Sequence, residues 1–144
     1  MKYCSTLFFV LIVLFSCDQE NETVKTEYYS TKEVKFIKHY KDKLLDGEAI
    51  WFYQSGSIKE KTLFRKGKAE GHTYSFYPNG RLESYRYFTD DKEVGIGLDY
   101  YNHYRTRVKF MLYFNNSGHI YYKRNFDENG KFLSDEGKKP GNQF

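Results

Sequence analysis

The side chains that could carry metal or acid–base chemistry are four histidines and one acidic turn. The histidines are His39, His72, His103 and His119. None of them stands at a metal-ligand spacing from another histidine, a cysteine or a carboxylate. Asp90, Asp91 and Glu93 offer oxygen ligands for Ca²⁺, but their spacing does not match an EF-hand loop. The sequence therefore predicts no metal site.

Nucleophilic and cofactor chemistry also lacks its usual sequence context. No serine lies in a Gly-x-Ser-x-Gly elbow. Gly95-Ile96-Gly97 is followed by neither the third glycine nor the helical pattern of a dinucleotide-binding loop. Paired carboxylates for glycoside hydrolysis would have to converge from separate hairpins into a cleft. We therefore predict that the protein is not an enzyme, has no catalytic residues and uses no cofactor.

Cys17 has the most specific chemical context in the chain. A positive Lys2 and an apolar run from Leu7 to Phe15 precede it. The run is too short to span a bilayer but matches a secretory signal. Leu14-Phe15-Ser16-Cys17 resembles the bacterial lipobox. That resemblance implies diacylglycerol transfer to the Cys17 thiol, cleavage between Ser16 and Cys17, and acylation of the new amino terminus with a fatty acid such as palmitate. An ordinary signal with an incidental cysteine is the alternative.

The amino-terminal segment also sets the expected location. We expect residues 1–16 to be a signal peptide and residues 17–27 to be an acidic, polar tether. Lipid on Cys17 then attaches the protein to a bacterial membrane, on the periplasmic side or at the cell surface. Because Cys4 falls in the signal peptide, we expect no disulfide in the mature chain.

Composition favours a β-sheet fold. The chain has 144 residues, enough for a single domain, and is 40% hydrophobic and 20% aromatic. About half of the apolar residues are therefore aromatic, which favours strands. A mean hydropathy of −0.78 excludes a polytopic membrane protein, and the aromatic content excludes a disordered chain. The net charge of +4 is dispersed without a dense basic block, so we predict no nucleic-acid partner.

A repeat of 24 residues organises the sequence, with residues 47–70 aligning on residues 71–94. The offset pairs Gly47 with Gly71, Phe52 with Phe76, Tyr53 with Tyr77, Gly56 with Gly80, Ile58 with Leu82 and Phe64 with Phe88. A degenerate unit precedes this pair, and Gly95 continues the register after it. Farther along, Phe114, Gly118, Ile120 and Phe126 reproduce the spacing of Phe52, Gly56, Ile58 and Phe64. We therefore expect a further unit at a shifted register, after an irregular stretch over 95–108.

Each unit has the pattern of a β-hairpin, and we expect the hairpin array to span residues 28–133, followed by a polar tail over 134–144. In residues 73–88, two alternating segments flank the turn Pro78-Asn79-Gly80. We expect the Asn-Gly pair to supply positive φ angles for a tight turn. The recurring Phe52, Ile58 and Phe64 positions are expected to share one packed face.

The full pattern is Gly-x4-aromatic-aromatic-x2-Gly-x-Ile/Leu-x5-Phe, present from Gly47 to Phe64 and again from Gly71 to Phe88. It resembles the bacterial variant of the MORN repeat, which occurs in proteins described as antitoxin-component-like. The resemblance implies an all-β, single-domain, elongated array of tandem antiparallel hairpins. It implies no chemistry, since such repeats serve as scaffolds and binding surfaces.

Cationic and tyrosine side chains outside the repeated positions are the candidates for recognition. They are Lys59, Lys61, Arg81, Tyr85, Arg86 and Tyr87. Rings flanked by cations bind peptides, sugars or anionic polymers, and they also form cross-strand pairs. We predict a lipid-anchored, non-catalytic scaffold that binds a protein partner in the cell envelope. The alternatives are a carbohydrate- or cell-wall-binding lipoprotein and an antitoxin-like component.

Overall fold

The computed structural model describes residues 21–103 and 105–141, which form one open antiparallel sheet. Its strands are β1 (Glu22–Tyr28), β2 (Val34–Lys41), β3 (Leu44–Phe52), β4 (Ile58–Arg65), β5 (Lys68–Phe76), β6 (Leu82–Thr89), β7 (Lys92–Glu93), β8 (Gly95–Tyr100), β9 (Val108–Phe114), β10 (Ile120–Phe126) and β11 (Phe132–Gly137). They neighbour one another in chain order, except that β7 pairs only with β6 and β8 also pairs with β6. The predicted all-β array of consecutive hairpins is therefore confirmed. Within the described ranges, no helix is long and apolar enough to cross a membrane.

The turns alternate between the two ends of the strands. The loops 29–33, 53–57, 77–81, 101–107 and 127–131 lie at one end, which we call the tyrosine rim. The loops 42–43, 66–67, 90–91 and 115–119 lie at the other end, the opposite rim. Because every hairpin is antiparallel to the next, each repeated residue returns to the same rim and the same height in the sheet.

Four of the five turns of the tyrosine rim, all except the longer loop 101–107, share one geometry. In the loop 77–81 the Tyr77 N–H donates to Arg81 O at 2.8 Å, and the Gly80 N–H donates to Tyr77 O at 2.8 Å. Gly80 has a φ of 79°, whereas Asn79 is not among the residues with positive φ. The expected Asn-Gly pair of positive angles is therefore wrong, because a three-residue loop needs only one left-handed residue before the strand resumes. The Asn79 side chain instead accepts the Arg81 N–H at 3.2 Å.

Four tyrosines of this rim tie successive hairpins together. The Tyr29 hydroxyl donates to Phe52 O at 2.7 Å, and the Tyr53 hydroxyl donates to Phe76 O at 2.8 Å. The same bond joins Tyr77 to Tyr100 O at 2.8 Å and Tyr101 to Phe126 O at 3.0 Å. We call this series the tyrosine ladder. It explains why the second aromatic of the repeat is a tyrosine, since only a hydroxyl reaches the next unit's carbonyl.

The further unit that was expected at a shifted register, from Phe114 to Phe126, instead keeps the strand pairing of the earlier units. Phe114 pairs with Gly95 as Phe64 pairs with Gly47. Phe126 pairs with Phe132 as Phe52 pairs with Ile58. The predicted equivalences of Phe114 and Phe126 are therefore wrong, because the two residues exchange places in the repeat.

An enlarged loop causes this error. The Tyr101 N–H donates to Arg107 O at 2.9 Å, so this loop has two residues more than the loop 77–81. The turn that holds Gly118 lies at the opposite rim, and Ile120, which follows it, is 54% exposed. Gly118 and Ile120 consequently resemble Gly56 and Ile58 in local turn pattern only.

The expected boundaries of the repeat domain also change. Strand β1 begins at Glu22, so the predicted tether over 17–27 is too long. Strand β11 runs to Gly137, and the Lys138 N–H donates to Tyr121 O at 2.9 Å, so the predicted tail over 134–144 begins too early. The predicted signal peptide and Cys17 lie outside the described residues.

A bulge at Lys59 divides the repeated apolar residues between two faces. Phe52 pairs with Ile58, but Trp51 pairs with Glu60, so Lys59 is an extra residue. Because side chains alternate along a strand, the extra residue places Phe64 on the opposite face from Phe52 and Ile58. The expectation of one packed face holding all three positions is wrong.

The two faces differ in composition. We call one the apolar face, and at the tyrosine rim it carries Phe52, Ile58, Phe76, Leu82, Tyr100, Val108 and Phe126. The other, the polar face, carries Glu60, Thr62, Thr73, Ser75, Ser84, Arg86 and Asp99, with Phe64, Phe88 and Phe114 towards the opposite rim. Buried polar-face side chains are Phe36, Ala49, Thr62, Ala69, Leu112, Phe114 and Asn125. Most buried side chains therefore lie on the polar face, whereas Tyr122, the most buried large side chain at 2% exposure, lies on the apolar face.

Candidate binding surface

Four rings of neighbouring strands form a cluster on the apolar face. Tyr74 on β5 lies opposite Tyr85 on β6, and His72 lies opposite Tyr87. The ring centroids of the first pair are 5.5 Å apart, and those of the second pair are 5.1 Å apart. The His72 ring is also 6.2 Å from Tyr74 and 5.7 Å from Tyr85. We call these four residues the tyrosine patch.

Within the patch, one tyrosine is half-buried and two are exposed to solvent. His72 Nδ1 and the Tyr85 hydroxyl are 3.0 Å apart, which links the two strands through their side chains. Burial raises the pKa of the half-buried Tyr85 above its ordinary value of 10.0, so this ring stays a neutral phenol at neutral pH. Tyr74 and Tyr87 are 36% and 37% exposed. They present aromatic surface to solvent, in ring contact with the half-buried Tyr85 and with His72, which is itself exposed.

Apolar and cationic neighbours extend the patch. Leu63 on β4 is 44% exposed, and Ile96 on β8 is 45% exposed. Lys61 is the cross-strand partner of Tyr74, and its Nζ lies 2.8 Å from a Glu48 carboxylate oxygen. The patch therefore has an aromatic and aliphatic centre, with an ion pair at its edge.

The structure brings three of the six predicted recognition residues together on this face, namely Lys61, Tyr85 and Tyr87. Lys59 and Arg81 lie at the tyrosine rim. The Lys59 Nζ is 5.9 Å from the centroid of the Tyr53 ring, and the exposed Arg81 approaches Asn102 with an Nη1–Oδ1 distance of 3.5 Å. The six residues therefore do not form one site.

Arg86 lies on the polar face, where ion pairs and hydrogen bonds hold its side chain within the sheet. Its side chain is 17% exposed, with an Nη2 to Asp99 Oδ1 distance of 2.5 Å and an Nε to Glu93 Oε2 distance of 3.5 Å. It also donates to Leu98 O at 2.9 Å and to Tyr85 O at 2.8 Å. The bonds to Asp99 and Leu98 join β6 to β8, and the contact with Glu93 reaches the short strand β7.

Sequence reasoning missed Tyr74 and considered His72 only as a possible metal or acid–base group. The turn at Pro78-Asn79-Gly80 indicates that Tyr74 lies near the middle of β6, but the bulge after the Phe76–Leu82 pair is what places it opposite Tyr85. His72 has a weaker signal, since its position depends on the irregular pairing that follows Gly71. Gly71 has a φ of 99°, and a Cβ there would lie 3.3 Å from Leu63 Cδ2.

The candidate chemical groups of the sequence have structural partners. Asp90 is paired with Lys68, and Asp91 Oδ1 accepts the Ala69 N–H at 2.7 Å. The Ser75 and Ser84 hydroxyls are 2.7 Å apart. In the part of the chain that the structure describes, no group of three or more His, Cys, Asp or Glu side chains could hold a metal ion.

Comparison with known families bears on the central hairpins. Residues 45–66 and 69–90 match the family described as MORN repeat variant. The first match covers most of β3 and all of β4, and the second contains the whole tyrosine patch. No curated protein matches the chain. The central part of this sheet therefore consists of two adjacent repeats of the MORN variant type.

Proposed function

We propose that the protein is a non-catalytic repeat scaffold, attached to a bacterial membrane by lipid on Cys17, that binds an envelope protein through the tyrosine patch. The observation that carries this proposal is the exposure of Tyr74 and Tyr87 beside Leu63 and Ile96. Isolated apolar side chains are ordinary on a protein surface, but a contiguous set on one face is a feature of interaction sites.

The chemistry of the patch favours a protein partner. Tyrosine supplies a large contact area with few rotatable bonds, and its hydroxyl can bond to a partner's backbone. Lys61, held by Glu48, provides a charged rim that favours a particular orientation of the partner. A carbohydrate ligand has less support. The ring of Trp51, the one tryptophan, is where a sugar would stack, but the Lys38 Nζ already lies over it, 4.9 Å from its centroid.

Partner capture from detergent-solubilised envelopes tests the patch. The full chain is compared with Tyr74→Ser/Tyr87→Ser and with a control, Val24→Ser/Leu133→Ser, which removes two exposed apolar side chains from the end strands. We expect a partner that the wild type and the control retain and the patch variant loses, and we expect the purified partner to show the same order of affinity. Equal capture by all three chains contradicts the proposal. Retention on polysaccharide beads supports the carbohydrate alternative instead.

The anchor requires a separate test, because the patch could function without it. In bacterial cells we expect Cys17→Ser to abolish incorporation of labelled palmitate and to release the protein from the membrane fraction. Ser5→Ala, in the same amino-terminal segment, is the control and should change neither result. Palmitate incorporation into Cys17→Ser contradicts attachment at Cys17.

A further inference from the structure

The two outer strands of the sheet each leave one edge unpaired in the part of the chain that the structure describes. Strand β1 pairs with β2 alone, and β11 pairs with β10 alone. Every residue of β11 is exposed, and so is every residue of β1 except the half-buried Glu27. An edge strand presents free backbone N–H and C=O groups to solvent. Both edges are therefore open to strand pairing with another chain.

The strands are of two kinds that alternate across the sheet. In each hairpin the strand before the tyrosine-rim turn, which we call the leading strand, is β1, β3, β5, β8 or β10, and the following strand is β2, β4, β6, β9 or β11. Every joint between hairpins pairs a following strand with a leading strand. The sheet begins with a leading strand and ends with a following strand, so its two free edges are the two kinds that pair inside it.

The internal joints all have the same register. A row of cross-strand partners runs from Glu27 on β1 to Ser134 on β11, with one residue from each of the ten strands on the path. It crosses every joint at equivalent positions, as at Glu60 and Ser75. A further joint in this register would place Ser134 of one molecule opposite Glu27 of another.

Opposite charges stand at the two ends of the neighbouring row on the polar face. That row begins with Lys25 opposite Lys38, and it ends with Lys123 opposite Glu136. Among the described residues Lys25 forms no ion pair, and its cross-strand neighbour has the same charge. Glu136 lies 3.6 Å from the Lys123 Nζ on its inner side and is exposed on its outer side. The register above brings Glu136 opposite Lys25 of a second molecule, which favours the pairing.

Apolar side chains at the same two edges are exposed where their internal equivalents are not. Tyr28 and Phe132 are exposed at the tyrosine rim, whereas Phe76 and Ile58, at the equivalent positions of the central repeats, are half-buried. The repeat places Ile58 and Phe76 on neighbouring strands. The same joint between molecules would bring Phe132 and Tyr28 onto neighbouring strands and remove part of each ring from water.

We propose that β11 of one molecule pairs with β1 of a second molecule, so that the two sheets continue head to tail in the register of the internal joints. Each pairing leaves one β1 and one β11 free, so association continues to longer assemblies. The tyrosine ladder ends at Phe126 O, so strand pairing alone holds the joint. Because one strand edge buries little area, we expect weak association that depends on concentration.

The joint is separate from the tyrosine patch, which lies on the central strands β5 and β6. The inference therefore goes beyond the proposed function, and the two can fail independently. Pairing of two β1 strands is the competing arrangement, since Lys25 could face Glu27 of a second β1. Two leading strands are nowhere neighbours in this sheet, which favours the head-to-tail joint.

Sedimentation velocity of the full chain, over a concentration series in nonionic detergent, measures the association. We expect dimers and larger oligomers of the wild type. Lys25→Glu and Glu136→Lys each place like charges opposite one another and should each weaken association about tenfold. The control is Lys66→Glu, in an exposed turn at the middle of the array, which makes the same change in net charge as Lys25→Glu and should alter association less than about twofold.

Combining the two changes separates a lost joint from a lost fold. In an equal mixture of Lys25→Glu and Glu136→Lys, every joint between unlike molecules brings opposite charges together again. We expect this mixture, and the double variant Lys25→Glu/Glu136→Lys, to associate within about threefold of the wild type.

Carbodiimide cross-linking, which joins an amine directly to a neighbouring carboxylate, locates the joint. Within one molecule Lys25 and Glu136 are nine strand spacings apart, roughly 40 Å, so a cross-link between them forms only between molecules. We expect this cross-link in digests of the associated wild type.

Several outcomes overturn the inference. They are a wild type that stays monomeric up to about 1 mM, no recovery in the mixture and the double variant, and absence of the Lys25–Glu136 cross-link. Weakening by Lys25→Glu without weakening by Glu136→Lys indicates pairing of two β1 strands and also overturns it. Tyr74→Ser/Tyr87→Ser should associate like the wild type, and loss of association in that variant would place the contact on the apolar face instead.

Discussion

The tyrosine ladder makes a quantitative prediction about how the hairpins are joined. Tyr53→Phe removes one hydroxyl and leaves the half-buried ring in place. The lost bond, from the hydroxyl to Phe76 O at 2.8 Å, connects two hairpins that are otherwise held by strand pairing. A bond of this kind contributes about 1 kcal/mol to the free energy of unfolding, which corresponds to a fall in Tm of about 4 °C.

The repeat lets the same bond be removed four times. Neighbouring ladder tyrosines are two strands, or about 10 Å, apart, so their effects should add. Replacing Tyr29, Tyr53, Tyr77 and Tyr101 together by phenylalanine should therefore cost about 4 kcal/mol, a large share of the stability of an ordinary domain.

Urea denaturation followed by circular dichroism measures both values. The control is Tyr87→Phe, since the structure gives the Tyr87 hydroxyl no hydrogen-bond partner among the described residues. We expect this control to lie within about 0.3 kcal/mol of the wild type. The reasoning is refuted if Tyr53→Phe is also within that range, or if Tyr87→Phe costs as much as Tyr53→Phe.

Three further predictions concern pH, a strained turn and a buried cation. Burial, and then the charge of Glu83, raise the pKa of Tyr53 above 10.0, so the folded state favours the neutral phenol. The contribution of this shift to the free energy of unfolding is complete below the unfolded pKa of about 10 and is lost as the pH rises through the folded pKa. Urea denaturation midpoints measured between about pH 8 and about pH 12 should therefore fall at the alkaline end of this range. Lys32 has a φ of 76° at the place of Gly56, so Lys32→Gly should raise the free energy of unfolding in urea by about 1 kcal/mol; a lower value contradicts the strain. Arg86→Leu leaves Asp99 without its cation and should cost about 3 kcal/mol in the same measurement, against less than about 0.5 for the exposed Arg81→Leu; equal costs would contradict the role given to Arg86.

The repeat period was enough to predict the fold class, because a chain of consecutive hairpins is determined by the turn and strand pattern within each unit. Pairing Gly47 with Gly71 and Tyr53 with Tyr77 in the sequence is enough to align two hairpins, and the structure has this alignment. The same reasoning failed at Phe114 and Phe126, where two extra residues in the loop 101–107 shift the numbering. Spacing alone cannot show whether added residues enter a strand, which changes the register, or a loop, which does not.

The candidate surface was harder to predict because it depends on which face a side chain occupies. The bulge at Lys59 moves Phe64 to the other face, and nothing in the spacing of Ile58 and Phe64 indicates it. Tyr85, Arg86 and Tyr87 are consecutive, so strand alternation alone separates Arg86 from the two tyrosines. Its engagement by Asp99 depends on strand β8, which enters the sheet after the short β7, and this could not be predicted locally.

The turn 127–131 differs from the other turns of the tyrosine rim, because it has no tyrosine to link it to a further hairpin. At the place of Tyr29, Tyr53, Tyr77 and Tyr101 the final turn has Asp127, whose carboxylate accepts the N–H groups of Asn129 and Lys131 at 2.9 and 2.8 Å. A carboxylate that caps its own turn cannot donate to a later hairpin. A duplicated unit of 24 residues can therefore be inserted between two tyrosine-bearing turns. There the new unit brings its own tyrosine hydroxyl as donor and its own strand-end carbonyl as acceptor, so that every ladder bond is kept. The same unit placed after Asp127 would lack this one link, worth about 1 kcal/mol, and would be held by strand pairing alone.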